Sequence, residues 1–332
     1  MKRLTGTLAV ALAAVTVAAC GTAKDQNGNP VNTPSSKDDV ELTQGSDLTI
    51  AMVTHSDEGS FWSVVKKGAE AAAKAEGVKL IWSPSNNDPQ KEAQLIDAAV
   101  SQKVDGLAVS VPNADAIKAS LAKATQAGIP IVTLNAGLDD YKALGAITHV
   151  GQTEKIAGTA AGAKFKDAGV KKILCVIHEQ ANSSLEDRCA GVKAGFGGEV
   201  VNQQVKGTDD IATTQTEIKS KLQADKSFDA VMTLNPDIAA AAMTAIKDAG
   251  SSAKLATFDL SPAILKAIGA GTVLFAVDQQ QYLQGYLPIV FLKLFKTNAN
   301  TVGGGQPVLT GPGFVEKSNA AQVEKLAGEG TR

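Results

Sequence analysis

Short apolar runs alternate with helical patterns along most of this chain. From residue 48 onward, runs rich in β-branched residues are separated by longer stretches in which apolar residues recur at helical spacing. The runs predict strands at residues 48–53, 78–82, 106–111, 130–134, 146–150, 172–177, 199–205, 229–234, 254–258 and 272–277. The stretches between them predict helices at residues 61–76, 89–103, 114–127, 154–168, 184–196, 211–224, 237–249, 261–268 and 282–296. This alternation is typical of parallel sheets covered by helices on both faces.

The strands are too many for one comfortable sheet. The βα units also outnumber the eight of a TIM barrel, which is the main competing fold. The pattern and the chain length therefore predict an α/β protein of two doubly wound parallel-sheet lobes joined by a hinge. We place the first crossing between the lobes near residues 149–153.

The N-terminus has the features of an export signal. Lys2 and Arg3 precede an apolar stretch at residues 8–19, so residues 1–19 are predicted to be a signal peptide. The ending Val17-Ala18-Ala19-Cys20 resembles the bacterial lipobox, which predicts cleavage before Cys20 and lipidation of that cysteine. The alternative is an ordinary signal peptidase site with an incidental cysteine. Residues 20–46 are then the lipidated cysteine and a flexible tether.

Composition and charge exclude several classes of protein. The 332 residues are 44% apolar and 20% charged, which is typical of a globular chain. Lys and Arg number 32 against 34 Asp and Glu, so the chain has no basic excess for nucleic acid. The long apolar run lies at the N-terminus, which argues against an integral transporter. After export, Cys175 and Cys189 could form a disulfide, and two buried thiols remain the alternative.

Polar residues collect after the predicted strands. In doubly wound sheets, ligands bind beyond the carboxyl ends of the strands. The segments at those positions are 55–62, 83–88, 111–113, 135–137, 178–188, 235–237, 259–261 and 278–281. They are rich in Asn, Asp, Gln and Ser, and they include Arg188 and the pair Phe61-Trp62. This set fits a neutral polyhydroxylated ligand, although the same residue types also serve as turn formers and helix N-caps.

Several short motifs occur together in an order that is typical of one family. They are Gly59-Ser60-Phe61-Trp62, Asp105-Gly106, Ala127-Gly128-Ile129-Pro130, Gly151-Gln152, Arg188 with Gly191, Asn235-Pro236-Asp237, Thr257-Phe258-Asp259, and Ala276-Val277-Asp278-Gln279-Gln280 with Gly285. In this order the chain resembles the ribose- and galactose-type periplasmic sugar-binding proteins of ABC importers, over residues 47–309. The resemblance implies the periplasmic binding protein type I fold. It places residues 47–151 plus about 281–305 in the N-terminal lobe, and 152–280 plus about 306–332 in the C-terminal lobe.

The resemblance also implies roles for individual residues. Phe61 and Trp62 would stack on the ligand, and Arg188 would donate two hydrogen bonds to it. The hydroxyl network would be completed by Asn135, Asn235, Asp259 and Gln279, with Asp278 beside it. Position in the loops alone adds His55, Asp88, Glu179 and Asn182 as candidates.

Two departures from the family pattern bear on the ligand. Asn135 is followed by Ala136 where the ribose-type proteins have Asp followed by Arg, and Val111 stands where an Asn is common. The loss of that charged pair argues against simple ribose specificity. It favours a small neutral sugar, a sugar alcohol or a cyclitol.

We expect a binding protein rather than an enzyme, with no cofactor and no metal. His178-Glu179 begins like a zinc-protease helix, but Asn182 stands where the second histidine is needed. The expected partner is a membrane ABC permease that receives the ligand from a lipid-anchored monomer on the outer face of the cell membrane. The alternative is a sensory protein that presents its ligand to a membrane receptor without import.

Overall fold

A computed structural model describes residues 47–332, which contain two six-stranded sheets. The predicted signal peptide, Cys20 and the tether lie outside the described residues. Within residues 47–332, no helix is both long enough and apolar enough to cross a membrane.

The first sheet has the order β11-β5-β4-β3-β1-β2, and its strands are parallel. These strands are β1 (Thr49–Thr54), β2 (Lys79–Pro84), β3 (Gly106–Ser110), β4 (Ile131–Asn135), β5 (Thr148–Gly151) and β11 (Val308–Leu309). The helices of this lobe are α1 (Gly59–Glu76), α2 (Pro89–Ser101), α3 (Ala114–Gln126) and α9 (Gln281–Asn298). Successive residues of β1 point to opposite faces, so Ile50 and Met52 pack under α1 and α9, while Ala51 and Val53 pack with α2 and α3.

The second sheet repeats this arrangement in the order β12-β10-β9-β8-β6-β7. Its strands are β6 (Lys172–Ile177), β7 (Glu199–Gln204), β8 (Ala230–Thr233), β9 (Lys254–Phe258), β10 (Val273–Asp278) and β12 (Gly313–Glu316), of which β12 runs antiparallel to β10. Its helices are α4 (Glu154–Asp167), α5 (Ser183–Phe196), α6 (Ile211–Ala224), α7 (Pro236–Asp248), α8 (Pro262–Ala270) and α10 (Ala320–Gly328). Helices α4 and α5 cover one face of this sheet, and α6, α7, α8 and α10 cover the other.

Glycines let the paired helices approach until their backbones touch. A Cβ atom at Gly285 in α9 would lie 1.9 Å from the carbonyl oxygen of Val65 in α1. A Cβ atom at Gly195 in α5 would lie 1.9 Å from the carbonyl oxygen of Thr159 in α4. These close contacts fix the first helix of each lobe, and therefore the residues at its N-terminus.

Three crossings connect the lobes. The first lies between β5 and α4, and the second lies between β10 and α9. The third comes later than the expected boundary near residue 305, because Val308 and Leu309 pair with Val150 and Gly151 in the first sheet. The chain returns to the second lobe between Leu309 and Gly313. The strand pattern did not reveal β11 or β12, which are short.

A disulfide joins Cys175 in β6 to Cys189 in α5, with the Cα atoms 6.0 Å apart. Both cysteines are buried. The bond attaches the middle of α5 to β6, the strand beside the edge strand β7 of the second sheet. Of the two alternatives that the sequence leaves open for these cysteines, the structure has the disulfide.

Candidate functional site

A cavity lies between the carboxyl ends of the strands of the two sheets. This is where ligands bind in doubly wound folds. The residues that line it are His55, Phe61, Trp62 and Asn135 from the first lobe, together with His178, Glu179, Asn182, Ser184, Leu185, Arg188, Leu234, Asn235, Asp259 and Gln279. Most of the side chains that the sequence singles out therefore meet in one place.

The first lobe contributes an aromatic wall. Phe61 and Trp62 lie in the first turn of α1, and each is about 95% buried, at 5% and 4% exposure. Their rings meet edge to face with centroids 5.1 Å apart, and the His55 ring meets Trp62 in the same way at 4.8 Å. Ser110 Oγ lies 2.8 Å from His55 Nδ1 and accepts a bond from the His55 backbone N–H. These contacts fix an apolar surface on which the C–H face of a ring can pack.

Arg188 forms a bidentate ion pair with Glu154, a residue that the sequence analysis did not identify. Arg188 Nε donates to Glu154 Oε2 at 2.7 Å, and Nη2 donates to Oε1 at 3.0 Å. Burial works to lower the pKa of Arg188, but the charge and hydrogen bonds of Glu154 raise it. Gln152 Nε2 also donates to Glu154 Oε2 at 2.9 Å, which ties the pair to the first crossing. An acidic residue in a first helical turn is too common to signal such a role.

The remaining face of the Arg188 guanidinium points towards the polar floor of the cavity. Its Nη1 donates to the Leu234 carbonyl oxygen at 3.2 Å and lies 4.0 Å from Asp259 Oδ2. The guanidinium also lies 4.5 Å from the centroid of the Phe258 ring. Arg188 is therefore held in one position by groups on four sides.

A chain of amide and carboxyl groups connects the lobes across this floor. Gln279 Nε2 donates to Asp259 Oδ1 at 2.8 Å, and Asn135 Nδ2 donates to Gln279 Oε1 at 3.3 Å. Burial raises the pKa of Asp259 to about 7, against the opposing effects of Arg188 and the Gln279 hydrogen bond. Asn135 ends β4 and Asp259 directly follows the equivalent strand β9, and both have positive φ angles, of 60° and 68°. Asn and Asp tolerate this left-handed conformation better than other non-glycine residues.

Two of the predicted residues that line the cavity are also helix caps. Asn235 Oδ1 accepts from the backbone N–H groups of Asp237 and Ile238 at the start of α7. Asn182 Oδ1 accepts from the Ser184 N–H at the start of α5. Each of these residues can therefore both cap a helix and line the cavity, because a helix that begins at the end of a strand places its N-cap beside the cleft.

Glu179 carries a negative charge beside His55 and His178. Burial works to raise the pKa of Glu179, but His55, His178 and the Asn182 hydrogen bond together lower it below the usual range. Burial lowers the pKa of His178, whose Nε2 lies 3.7 Å from Glu179 Oε1. His178 and Ser184 line the cavity although the sequence analysis did not name them as site residues.

Two of the predicted residues lie elsewhere. Asp88 is exposed and caps α2, where its Oδ1 accepts from the N–H groups of Gln90 and Lys91. Asp278 is fully buried, but its carboxylate accepts from the Gln280 N–H at 2.9 Å and from Arg332 Nε at 2.6 Å. Neither lines the cavity, contrary to the prediction, because each carboxylate is directed to local backbone or to a neighbouring side chain.

The lobes are in direct contact around the cavity. Asp237 in α7 accepts from the backbone N–H and from the hydroxyl of Ser60 in α1, both at 2.9 Å. On another side, the Pro112 carbonyl accepts from the N–H of Ser183 at 3.2 Å. His55 Nε2 lies 3.5 Å from Glu179 Oε2. The structure therefore has the lobes closed on each other.

A fold of two lobes with a polar and aromatic cavity between them defines a class of solute-binding proteins. Residues 50–296 match the family described as "Periplasmic binding protein domain". The chain belongs to this family, so both the resemblance inferred from the motifs and the two-lobed α/β fold are confirmed.

Particular relatives are sugar-binding proteins of transport systems. A carbohydrate transporter from Acidothermus cellulolyticus 11B, solved in complex with myo-inositol, is 46% identical with a TM-score of 0.84, and the match covers 86% of this chain and 100% of that one. The ribose import binding protein of Bacillus subtilis is 26% identical over 81% of this chain and 85% of its own length. The xylitol-binding protein of Mycolicibacterium smegmatis is 33% identical over 30% of this chain and 28% of its own length. The family is exported and serves sugar transport, and its members are binding proteins rather than enzymes.

Proposed function

We propose that this protein captures a neutral cyclitol, with myo-inositol as the first candidate, and delivers it to an ABC permease. The observation that carries the proposal is the Arg188–Glu154 ion pair at the floor of an otherwise polar cavity. The ion pair favours a ligand without charge, and the groups around the pair favour a ligand with the shape of a hydroxylated ring.

The ion pair removes the positive charge that an anionic ligand would need. Among the residues that line the cavity, Arg188 is the permanent cation, and Glu154 balances it through two hydrogen bonds. Glu179 adds a negative charge on the opposite wall. A ligand with a phosphate or carboxylate group would bring a second negative charge next to Glu179 without an unpaired cation to balance it. Burial of an unbalanced negative charge is costly. A neutral ligand avoids that cost.

The remaining groups suit a ring with hydroxyls around its edge. The aromatic wall of Phe61 and Trp62 can cover a ring face, since the C–H bonds of a polyol ring are apolar. Asn135, Asn235, Asp259 and Gln279 offer donors and acceptors around the perimeter. A partly protonated Asp259 can donate as well as accept, which suits a hydroxyl partner. A cyclitol presents hydroxyls on every ring carbon and matches this arrangement.

Similarity to the myo-inositol complex supports a cyclitol over a pentose. The 46% identity extends over 86% of this chain. The replacement of the Asp-Arg pair of the ribose-type proteins by Asn135-Ala136 points the same way. We therefore place myo-inositol ahead of ribose and xylitol.

Delivery requires an exported protein that closes on its ligand. Contacts such as Ser60 with Asp237 form between lobes, so a ligand that bridges the lobes shifts the population towards the closed form. We propose that the closed monomer docks on its permease from the outer face of the cell membrane. Lipidation of Cys20 would hold it there, and the tether would give it reach.

Isothermal titration calorimetry of the purified protein tests the ligand class. The panel is myo-inositol, xylitol, D-ribose and myo-inositol 1-phosphate. We expect one molecule of myo-inositol to bind per chain, at least tenfold more tightly than ribose and about a hundredfold more tightly than the phosphate. Equal binding of the phosphate would contradict the charge argument, and no binding of any neutral compound would contradict the function.

A further inference from the structure

A second cavity adjoins the candidate site between the same two lobes. It is similar in size to the first. We call it the side cavity, and its lining residues are His55, Asn87, Pro89, Glu92, Pro112, Asn113, Glu179, Gln180, Ala181 and Asn182. Residues 55–113 belong to the first lobe and residues 179–182 to the second. Closure of the lobes therefore forms both cavities together.

Side chains, rather than backbone, separate the side cavity from the candidate site. His55, Glu179 and Asn182 line both cavities. His55 Nε2 and Glu179 Oε2 lie 3.5 Å apart, which is longer than a well-formed hydrogen bond. Glu179 Oε2 also accepts from Asn182 Nδ2 at 2.6 Å. A rotation of the Glu179 side chain that gives up this bond for one to the ligand would join the two spaces without a movement of either lobe.

Glu92 gives the side cavity a polar group that lacks a partner. This residue in α2 is only 1% exposed, and its Oε1 atom has no hydrogen-bond partner among the described residues. Buried carboxyl oxygens are nearly always hydrogen-bonded, so an unpartnered one on a cavity wall indicates a missing occupant. Burial raises the pKa of Glu92 to about 8, so the group is mostly protonated at neutral pH. A protonated carboxyl both donates and accepts, which is the chemistry that recognises a hydroxyl group.

Apart from Glu92, His55 and Glu179, the polar side chains around the side cavity are uncharged amides. Asn113 Oδ1 is engaged as the cap of α3, where it accepts from the Ala116 N–H at 3.3 Å. That bond leaves the side-chain NH₂ group of Asn113 available as a donor. Asn87 and Gln180 add further amides from opposite lobes. Together with Glu92, these groups can surround a neutral, hydroxyl-bearing moiety.

We propose that the side cavity is a subsite for a neutral, hydroxyl-bearing substituent of the ligand, so that the protein accepts a cyclitol joined to a second sugar ring. This inference rests on the proposed function, since the cyclitol ring itself would occupy the candidate site. The substituent would pass between His55 and Glu179 and meet the Glu92 carboxyl.

Calorimetry with myo-inositol and galactosyl-myo-inositol tests the subsite in the wild-type protein. We expect the galactosyl compound to bind at least tenfold more tightly than myo-inositol. Binding of myo-inositol without binding of the galactosyl compound would overturn the subsite and leave the proposed function intact. Failure of both compounds to bind would overturn the proposed function and this inference with it.

Two substitutions of similar size then test the role of Glu92. Glu92→Leu removes the hydrogen-bonding group, and we expect it to weaken the galactosyl compound about tenfold while myo-inositol stays within twofold. Glu92→Gln keeps a donor and an acceptor, and we expect it to bind both compounds like the wild type. Equal effects of the two substitutions on the galactosyl compound would overturn the assignment of Glu92.

Discussion

Replacing Glu154 with glutamine removes one negative charge from the buried pair with Arg188 and leaves the size of the side chain nearly unchanged. Arg188 and Glu154 side chains are only 4% and 6% exposed. Arginine does not deprotonate in proteins, so the variant leaves a buried cation without its counter-ion. The amide can also accept only one of the two hydrogen bonds that the carboxylate accepts at 2.7 and 3.0 Å.

Removal of one partner from a buried ion pair costs about 3–5 kcal/mol of folding free energy. Asp259 reduces this cost, because its Oδ2 lies 4.0 Å from Arg188 Nη1 and can become the new counter-ion. The charge of Glu154 helps to raise the pKa of Asp259, so the substitution lowers that pKa and favours ionisation. We therefore expect a loss of about 3 kcal/mol at pH 7.5 and a larger loss at pH 5, where Asp259 holds its proton more often.

Urea denaturation followed by circular dichroism at both pH values measures these losses. Glu316→Gln is the matched control, because Glu316 pairs with Lys164 at 2.6 Å on the surface, where the side chains are 42% and 31% exposed. A surface pair contributes at most about 1 kcal/mol. Equal small losses in the two variants would refute the conclusion that Glu154 balances a buried charge.

Ligand selectivity provides a second readout of the same substitution. Without Glu154, the charge of Arg188 becomes available to an anion. We expect the preference for myo-inositol over myo-inositol 1-phosphate to fall at least tenfold, since a charged hydrogen bond is worth about 1.5–3 kcal/mol. An unchanged preference would refute the charge argument for a neutral ligand.

Three further predictions concern closure, acid stability and the disulfide. Ser60→Ala removes a bond to Asp237 between the lobes, and stopped-flow measurements should show ligand dissociation about fivefold faster, for a bond of about 1 kcal/mol; an unchanged rate would exclude it from closure. Burial lowers the pKa of His149 from the usual 6.5 of histidine to about 3, so its contribution to stability is complete above pH 6.5 and is lost as the pH falls towards 3. The loss is about 1.4 kcal/mol per pH unit. The free energy of unfolding of His149→Gln should therefore fall less steeply with decreasing pH than that of the wild type, and an identical slope would show that His149 does not contribute to acid sensitivity. Cys175→Ser with Cys189→Ser opens a crosslink between positions 14 apart and should lower the free energy of unfolding by about 3 kcal/mol, while a change below about 1 kcal/mol would mean that the bond does not stabilise the fold.

The repeated pattern of strands and helices makes most of the fold predictable. Strands such as β6 are apolar after their first residue because both of their faces are buried, and this gives a strong signal. β11 is only two residues long and pairs by register with β5, so neither its length nor its composition distinguishes it from a loop. The third crossing was therefore placed a few residues too early.

Those residues of the candidate site that stand at the ends of strands are predictable from the sequence. Asn135 and Asp259 occupy equivalent strand ends, and both line the cavity. Glu154 was missed because its role depends on a contact with Arg188 that lies 34 positions away. Asp278 is predicted to bind the ligand because it ends a strand. Its carboxylate instead accepts a hydrogen bond from Arg332, which lies 54 positions further along the chain. Long-range side-chain pairing leaves no local signal in the sequence.

Tryptophan fluorescence tests most directly whether a cyclitol binds between the lobes. The chain has two tryptophans, and Trp62 lies in the cavity while Trp82 lies in β2. Trp82→Phe removes a buried indole N–H that has no hydrogen-bond partner within residues 47–332, and it leaves Trp62 as the reporter. We expect titration of this variant with myo-inositol to give a saturable change in emission with the dissociation constant found by calorimetry. Binding heat without any change in Trp62 emission, or no binding at all, would contradict the account.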